Sequence, residues 1–217
     1  MRSYGQYCAL ARGLDLVGDR WTLLIVRELL TLGPCRYSDL LRGLPGIATN
    51  LLADRLNSME ASGLVERREL VRPASGTVIA LTPRGSALQG VVREFLKWGA
   101  PAMMAPTPEE AFQAHWLALP LRALCRDNKP SAGRQVVRIG DVADGCDIEA
   151  DAGSITVSPS RATVTPDAVV SGAPDAIVAL FTGRRTVAEL APHLNVAGSV
   201  EAVGRVIGGM PAGVPSR

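Results

Sequence analysis

LPGIATNLLADRLNSMEASGLVERR, residues 44–68, joins a Pro-Gly turn, an amphipathic repeat and a charged strand without a break. Leu52, Leu56 and Met59 repeat at i, i+4 and i+7, which predicts a helix with one buried face, and Gly63 is suited to end it. Short amide and hydroxyl side chains lie on the opposite face, near the start. The pattern predicts an apolar back that anchors the helix and a polar front.

The first turn of this helix has two alternative caps. If Ala48 is the N-cap, Ile47 and Leu52 form a hydrophobic staple; if Thr49 is the N-cap, its hydroxyl caps the turn. A polar helix face is often only solvated surface, so the order of the neighbouring elements has to decide between surface and binding site.

Helices are predicted before this stretch and a hairpin after it. Apolar periodicity predicts a helix over 10–17 ended by a left-handed Gly18, a second over 20–32 capped by Asp19, and a third that begins at Ser38 and ends at Pro45. Strands are predicted over 64–70 and 77–81 around a turn at 72–76. Thr82 and Pro83 form an N-cap and N1 pair for a further helix.

Four helices followed by a two-stranded hairpin are the order of a winged helix-turn-helix, whose recognition helix enters the DNA major groove. Thr49 and Asn50 would then reach base edges, while Asp54 would accept from a cytosine amine or pair with Arg55 or Arg36. The remaining candidates would contact or neutralise phosphates: Arg36, Ser38, Arg55, Arg67, Arg68 and Arg72.

Charge and composition narrow the function. Residues 1–99 carry 13 basic and 9 acidic side chains, and residues 100–217 carry 10 and 12, so the first half suits an anionic partner. No long apolar run and no export segment are apparent, which favours a cytoplasmic protein without a membrane span. The four cysteines lack zinc-site spacing, and neither a catalytic triad nor a phosphate loop is recognisable. We therefore expect no enzyme, metal or cofactor.

A Gly/Pro-rich break, GAPAMMAPTP at 99–108, divides the chain into predicted domains at 1–99 and 109–210. In the second domain we predict a helix over 109–126, strands over 136–139, 147–150, 154–157 and 161–165, helices over 174–182 and 186–194, and a frayed tail after 208. The fold class expected is α+β for the whole chain.

The helix after Thr82 carries more apolar surface than one stripe. Val92, Phe95, Leu96 and Trp98 lie around more than one side of it. We predict that these four residues form the interface of a homodimer.

Several motifs resemble the HxlR-type family of bacterial winged-helix transcription regulators over residues 7–99. They are C-A-L at 8–10, L-D-L-V-G-D-R-W-T-L-L-I-V-R-E-L at 14–29, R-Y-S-D-L at 36–40, L-P-G-I-A at 44–48, L-x-x-R-L-x-x-M-E-x-x-G-L-V-x-R at 52–67 and L-T-P-R-G at 81–85. The resemblance implies a homodimer built through terminal helices, with the helix from about 48 to 61 in the groove and the hairpin as wing.

Two positions depart from the family pattern and two cysteines need assignment. Ala9 replaces a proline that commonly follows the family cysteine, and Ala48 replaces a capping serine. Cys8 matches a position at which some members sense oxidants or electrophiles, so it is either a thiol sensor or a packed thiol. Cys35, between Pro34 and Arg36, is expected to be exposed.

The second half resembles a sterol-carrier-protein-like domain in I-E-A-D-A-G-S-I-T-V, V-S-G-A-P-D-A-I-V-A-L-F-T-G-R and N-V-A-G-S-V-E-A-V. That resemblance implies an apolar cavity, which Trp116, Leu119 and Phe181 would line unless they simply form the core.

The sequence thus predicts a dimeric DNA-binding regulator, a repressor by promoter occupancy, with an apolar effector. The alternative is a hydrophobic-ligand or lipid carrier whose winged domain contacts proteins.

Overall fold

The first part of the chain is mainly helical. The computed structural model describes residues 3–71, 75–102, 107 and 109–207, and the chain divides into a unit at 1–99 and a unit at 100–217. The first unit contains α1 Ala9–Val17, α2 Thr22–Leu32, α3 Tyr37–Gly43, α4 Thr49–Ala61, β1 Val65–Glu69, β2 Thr77–Leu81, α5 Pro83–Ser86 and α6 Gln89–Gly99. This order is a winged helix-turn-helix, as predicted.

One pair of alternative N-caps is resolved, and one predicted N-cap is confirmed. Ala48 is the N-cap of α4, and both residues of the expected staple, Ile47 and Leu52, are buried. The Thr82 hydroxyl accepts from the N–H of Gly85 at 3.1 Å, which confirms that cap. The helix it begins ends at Ser86, and α6 then starts at Gln89.

Three expected boundaries are wrong. Gly18 has φ −72°, so α1 does not end in a left-handed residue. Asp19 accepts from the N–H of Trp21 at 2.8 Å, one residue before α2 begins. Helix α3 starts before Ser38, with Arg36 as its N-cap, because the Asp39 carboxylate accepts from the Arg36 N–H at 3.0 Å. A carboxylate in the first turn thus replaces the expected hydroxyl.

Helices α2 and α3 approach each other closely at a glycine. Glu28 of α2 is fully buried, and its carboxylate accepts from Arg27 Nε at 2.9 Å. A Cβ at Gly43, at the end of α3, would overlap the Glu28 carboxylate. The absence of a side chain at Gly43 therefore allows the first helix of the helix-turn-helix to pack on α2.

The second unit is built on a mixed five-stranded sheet. Its elements are α7 Ala118–Leu124, β3 Gln135–Ile139, β4 Cys146–Asp151, β5 Ser154–Pro159, β6 Ala168–Gly172, α8 Pro174–Phe181, α9 Val187–Leu190, β7 Leu194–Gly198 and α10 Val200–Val206. The strand order is β5-β4-β3-β6-β7, with β3 and β6 parallel and the other pairs antiparallel. The chain is therefore α+β, as expected.

Sequence periodicity misplaces three elements of this unit. Only a 3-10 turn, Ala114–Leu117, and α7 form within the helix expected over 109–126. Residues 161–165 form no strand; the strand that pairs with β3 is β6. Pro192 cannot continue a helix, so α9 ends early and β7 follows it. The tail after 208 lies outside the described residues.

A buried ion pair links β3 to β4 in the second unit. Arg138 donates to both carboxylate oxygens of Asp147, at 2.7 and 2.9 Å, and Ser160 donates to the same carboxylate at 2.9 Å. Burial acts to raise the pKa of Asp147, but the hydrogen bonds from Arg138 and Ser160 outweigh it and hold that pKa below its usual range. The pair is a structural element of the sheet.

Three of the four cysteines are buried, and only Cys8 is exposed. Burial raises the pKa of the Cys35 thiol to about 12, helped by the nearby Asp39 and Glu28 carboxylates. It also raises those of Cys125 and Cys146 to about 12. The expectation that Cys35 is exposed is wrong, because its backbone pairs with Ile79 of β2 and turns its side chain inward.

We expect Asp147→Asn to lower the free energy of unfolding of the second unit by about 3 kcal/mol at neutral pH, because Arg138 keeps a buried charge without a counter-charge. Since the folded pKa of Asp147 is lowered, the wild-type advantage is complete above about pH 4 and shrinks as the pH falls through that pKa. Urea unfolding at pH 7 and pH 3, followed by hydrogen exchange in β3, measures both. Asp151→Asn, at the exposed end of β4, is the control; an equal loss at both pH values contradicts the expectation.

Thiol labelling is expected to separate the four cysteines. In the folded chain a disulfide reagent should react rapidly with Cys8 alone, and with Cys35, Cys125 and Cys146 only after denaturation, because thiols buried with a raised pKa are poor nucleophiles. Cys8→Ser should remove the fast phase and Cys35→Ser should leave it. Fast labelling of Cys35 would show that the pairing of its segment with β2 opens in solution.

Candidate nucleic-acid interface

Helix α4 has a buried back and an exposed leading end. Leu52, Leu56 and Met59 are buried, with at most 2% of the surface of each residue exposed, whereas Thr49 and Asn50 are exposed. The two residues expected to reach base edges therefore lie at the surface, at the N-terminal end of the helix. Side chains in this position can reach base edges when a helix enters a groove N-terminus first.

The turn between α3 and α4 is fixed by a tyrosine. The Tyr37 hydroxyl donates to the backbone carbonyl of Thr49 at 2.6 Å, which ties the first turn of α3 to the first residue of α4. The Asn50 amide oxygen accepts from the N–H of Leu51 at 2.9 Å, so this side chain is turned back towards the start of its own helix. The leading end of α4 is thus ordered by contacts within the unit. Tyr37 is a functional candidate that the sequence analysis missed, although R-Y-S-D-L contains it.

The arginine of α4 faces the unit itself. Arg55 pairs with Asp19 at 3.4 Å, its side chain is only 20% exposed, and its Nε is buried without a hydrogen-bond partner. The expectation that Arg55 neutralises a phosphate is wrong for this conformation, because the guanidinium links α4 to the segment before α2. Asp54 is exposed, and the carboxylate that pairs with Arg55 is Asp19 rather than Asp54.

The segment before α3 joins the helices to the wing. Cys35 and Ile79 exchange backbone hydrogen bonds of 3.1 and 2.8 Å. Next to them, Arg36 Nη2 donates to the carbonyl of Ser75 at 2.6 Å. Arg36 thus holds the C-terminal side of the wing turn, and Ser38 is exposed as the second residue of α3. Their role as phosphate contacts stays a prediction.

The arginines of the wing strand are paired with carboxylates. Arg67 forms an ion pair with Glu60 and donates to the Asn57 amide oxygen at 2.8 Å, which connects β1 to α4. Arg68 forms an ion pair with Glu66 of the same strand. All four charged side chains are partly exposed, between 38 and 53%. Arg72 lies outside the described residues.

Helix α6 of the first unit has an exposed apolar face. Phe95 and Trp98 are 56% and 80% exposed and lie in edge-to-face contact, and Leu96 is half-buried. Phe95 and Trp98, together with Gly90, Val91 and Glu94, line an open groove of about 610 Å³. Leu96 does not line this groove. Val92 is wrong as an interface residue, because it is buried against its own unit.

The three candidate pocket residues of the second unit differ in burial. Phe181 belongs to the buried core formed by the sheet and its helices, so the core alternative holds for it. Trp116 and Leu119 are half-buried. Within the described ranges, neither a cluster of metal-binding side chains nor a helix suited to crossing a membrane is found.

Comparisons with known proteins match the first part of the chain. A profile of the HxlR-like helix-turn-helix family matches residues 16–106. The HTH-type transcriptional regulator YodB of Bacillus subtilis is 36% identical over 84 residues, which are 39% of this chain and 74% of YodB. The uncharacterised regulator YvaP of the same organism is 32% identical over 87 residues, covering 40% of this chain and 80% of YvaP.

A solved structure is similar over the same share of the chain. The reduced form of YodB is 33% identical, covers 43% of this chain and 92% of that chain, and has a TM-score of 0.39. These relatives are transcriptional regulators rather than enzymes, in agreement with the sequence analysis. Through its N-terminal unit, this chain belongs to the HxlR-like helix-turn-helix family of transcriptional regulators.

Proposed function

We propose that this protein is a sequence-specific, homodimeric DNA-binding regulator that represses transcription by occupying its operator. The observation that carries the proposal is the exposure of Thr49 and Asn50 at the leading end of a helix whose back is buried. Hydroxyl and amide groups at this position can hydrogen-bond with base edges. Occupancy of a promoter by such a dimer excludes polymerase, which favours repression.

Backbone contacts supply the sequence-independent part of the affinity. Arg67 and Arg68 lie on the wing strand, partly exposed, where they can exchange their carboxylate partners for phosphates. Arg36 and Ser38, at the start of α3, are further proposed backbone contacts, as is Arg72, which lies outside the described residues. Arg55 is left out, since its guanidinium is paired inside the unit.

The exposed aromatic residues of α6 support homodimerisation. A monomer rarely leaves two large apolar side chains more than half exposed on one helix face, and Phe95 and Trp98 do so. We propose that Phe95, Leu96 and Trp98 meet a second copy, with α6 as a terminal helix of the unit. An isologous contact would relate the two recognition helices by a two-fold axis, which matches a palindromic operator.

The second unit is proposed to sense a small apolar effector. The three segments that resemble a sterol-carrier-like domain correspond to the β4-β5 hairpin, to β6 followed by α8, and to β7 followed by α10. This strand, helix and strand-helix pattern supports the resemblance. Trp116 and Leu119, both half-buried, are the proposed ligand contacts. Cys8, exposed among the four cysteines, is the candidate thiol sensor, and a cytoplasmic location is part of the proposal.

Asn50→Ala is expected to weaken binding to a duplex selected from a random pool by the wild-type chain about ten-fold, because one base contact is lost, and to leave binding to an arbitrary duplex unchanged. Arg67→Ala/Arg68→Ala is expected to weaken binding to both duplexes and to reduce the salt dependence of the binding constant by about one to two counterions. Fluorescence anisotropy over a salt series measures each effect. Asn195→Ala, an exposed asparagine of β7, is the matched control. A wild-type chain that binds no duplex even at low salt would favour the carrier alternative.

Phe95→Ala/Trp98→Ala is expected to convert a dimer into a monomer, since both exposed rings of α6 are removed together. Sedimentation equilibrium at micromolar concentrations measures the association constant. Val142→Ala, an exposed apolar residue of the second unit, should leave it unchanged. A wild-type monomer, or a double variant that dimerises as well as the wild type, contradicts the assignment of this face.

A further inference from the structure

The recognition helix and the first wing strand carry no net positive charge. Residues 49–71, which comprise α4 and the first wing strand, contain three arginines against four carboxylates. One of the arginines, Arg55, is paired inside the unit. The basic character of the first 99 residues therefore does not come from the recognition helix and this strand, and the DNA backbone would meet paired rather than free cations there.

The pairing is specific to two glutamates. Glu60, on α4, pairs with Arg67 across to the wing, and Glu66 pairs with Arg68 along β1. Glu69, on the same strand, instead accepts from the Thr77 hydroxyl at 2.8 Å. Three glutamates thus lie within ten residues, and two of them hold the arginines that the proposed function assigns to phosphates.

We propose that Glu60 and Glu66 compete with DNA phosphates for Arg67 and Arg68, and thereby weaken sequence-independent binding. The proposal rests on the DNA-binding function proposed above. A carboxylate and a phosphate oxygen accept from a guanidinium in the same geometry, so each phosphate contact requires the intramolecular pair to open. The displaced carboxylate then remains near the backbone, where it is repelled.

Exposure makes the competition reversible. Ion pairs between partly exposed side chains contribute little to stability, so a phosphate can displace the glutamate without disturbing the fold. Arg67 keeps its hydrogen bond to Asn57 as a second anchor, which holds the guanidinium at the junction of α4 and β1. The two glutamates therefore set how strongly the wing is attracted to any duplex, while base contacts from α4 set which duplex is preferred.

The test uses full-length chain and a 30-base-pair duplex of arbitrary sequence. Glu60→Gln and Glu66→Gln should each bind this duplex about three-fold more tightly at low salt, with a steeper salt dependence, because removal of the carboxylate charge frees the arginine and ends the repulsion. Glu69→Gln makes the same charge change on β1 without freeing an arginine. It is expected to gain clearly less affinity for the duplex. Tighter binding cannot arise from a loss of folding.

Double variants separate competition from net charge. In an Arg67→Ala background, Glu60→Gln should lose most of its gain, and in an Arg68→Ala background Glu66→Gln should do the same. An equal gain in Glu69→Gln, or gains that persist without the arginines, would overturn the proposal. If the wild type binds and neither glutamine variant binds more tightly, the proposed competition is wrong, whereas the proposed DNA-binding function still stands. If neither the wild type nor any variant binds a duplex at low salt, the proposed function itself fails.

Discussion

The recognition helix depends on the burial of its own back. Leu52, Leu56 and Met59 are almost completely removed from solvent, and each buried side chain of this kind contributes about 2 kcal/mol. That is larger than the roughly 1 kcal/mol of a single hydrogen bond. The apolar stripe therefore sets the orientation of α4, and the hydrogen bond from Tyr37 to the Thr49 carbonyl refines where its first turn begins. Exposure of Thr49 and Asn50 is a consequence of this anchoring.

The wing is attached to the helices by groups that a DNA-binding surface also needs. The backbone of Cys35 pairs with Ile79, Arg36 donates to Ser75, and Arg67 reaches Asn57 and Glu60 on α4. Arginine serves both purposes because its guanidinium can hold two partners at once. The same side chains thus order this surface and are partly exposed, so the proposed binding to DNA phosphates would draw on contacts that also hold the wing.

The second unit uses charge differently. Its Arg138–Asp147 and Arg205–Asp127 pairs are buried, and each arginine also donates to a nearby backbone carbonyl. The two pairs therefore specify the sheet and the packing of α10 instead of a surface. Strand β4 carries one of these carboxylates, Asp147, at a position that periodicity treats as an ordinary strand residue. These two buried ion pairs therefore account for the fold of the unit and not for a binding surface.

The sequence by itself determined the winged helix-turn-helix, because the apolar repeat of α4, the Thr82–Pro83 cap and the order of elements are local features. It also placed Thr49 and Asn50 on the outer face, since helical spacing alone decides which side of α4 is apolar. Only the tertiary structure decided the fates of Arg55, Val92 and Cys35, whose partners or surroundings come from other elements. It likewise decided that residues 168–172, and not 161–165, complete the sheet. Long-range pairing is the reason, because a side chain's solvent exposure depends on what folds against it and not on its neighbours in the chain.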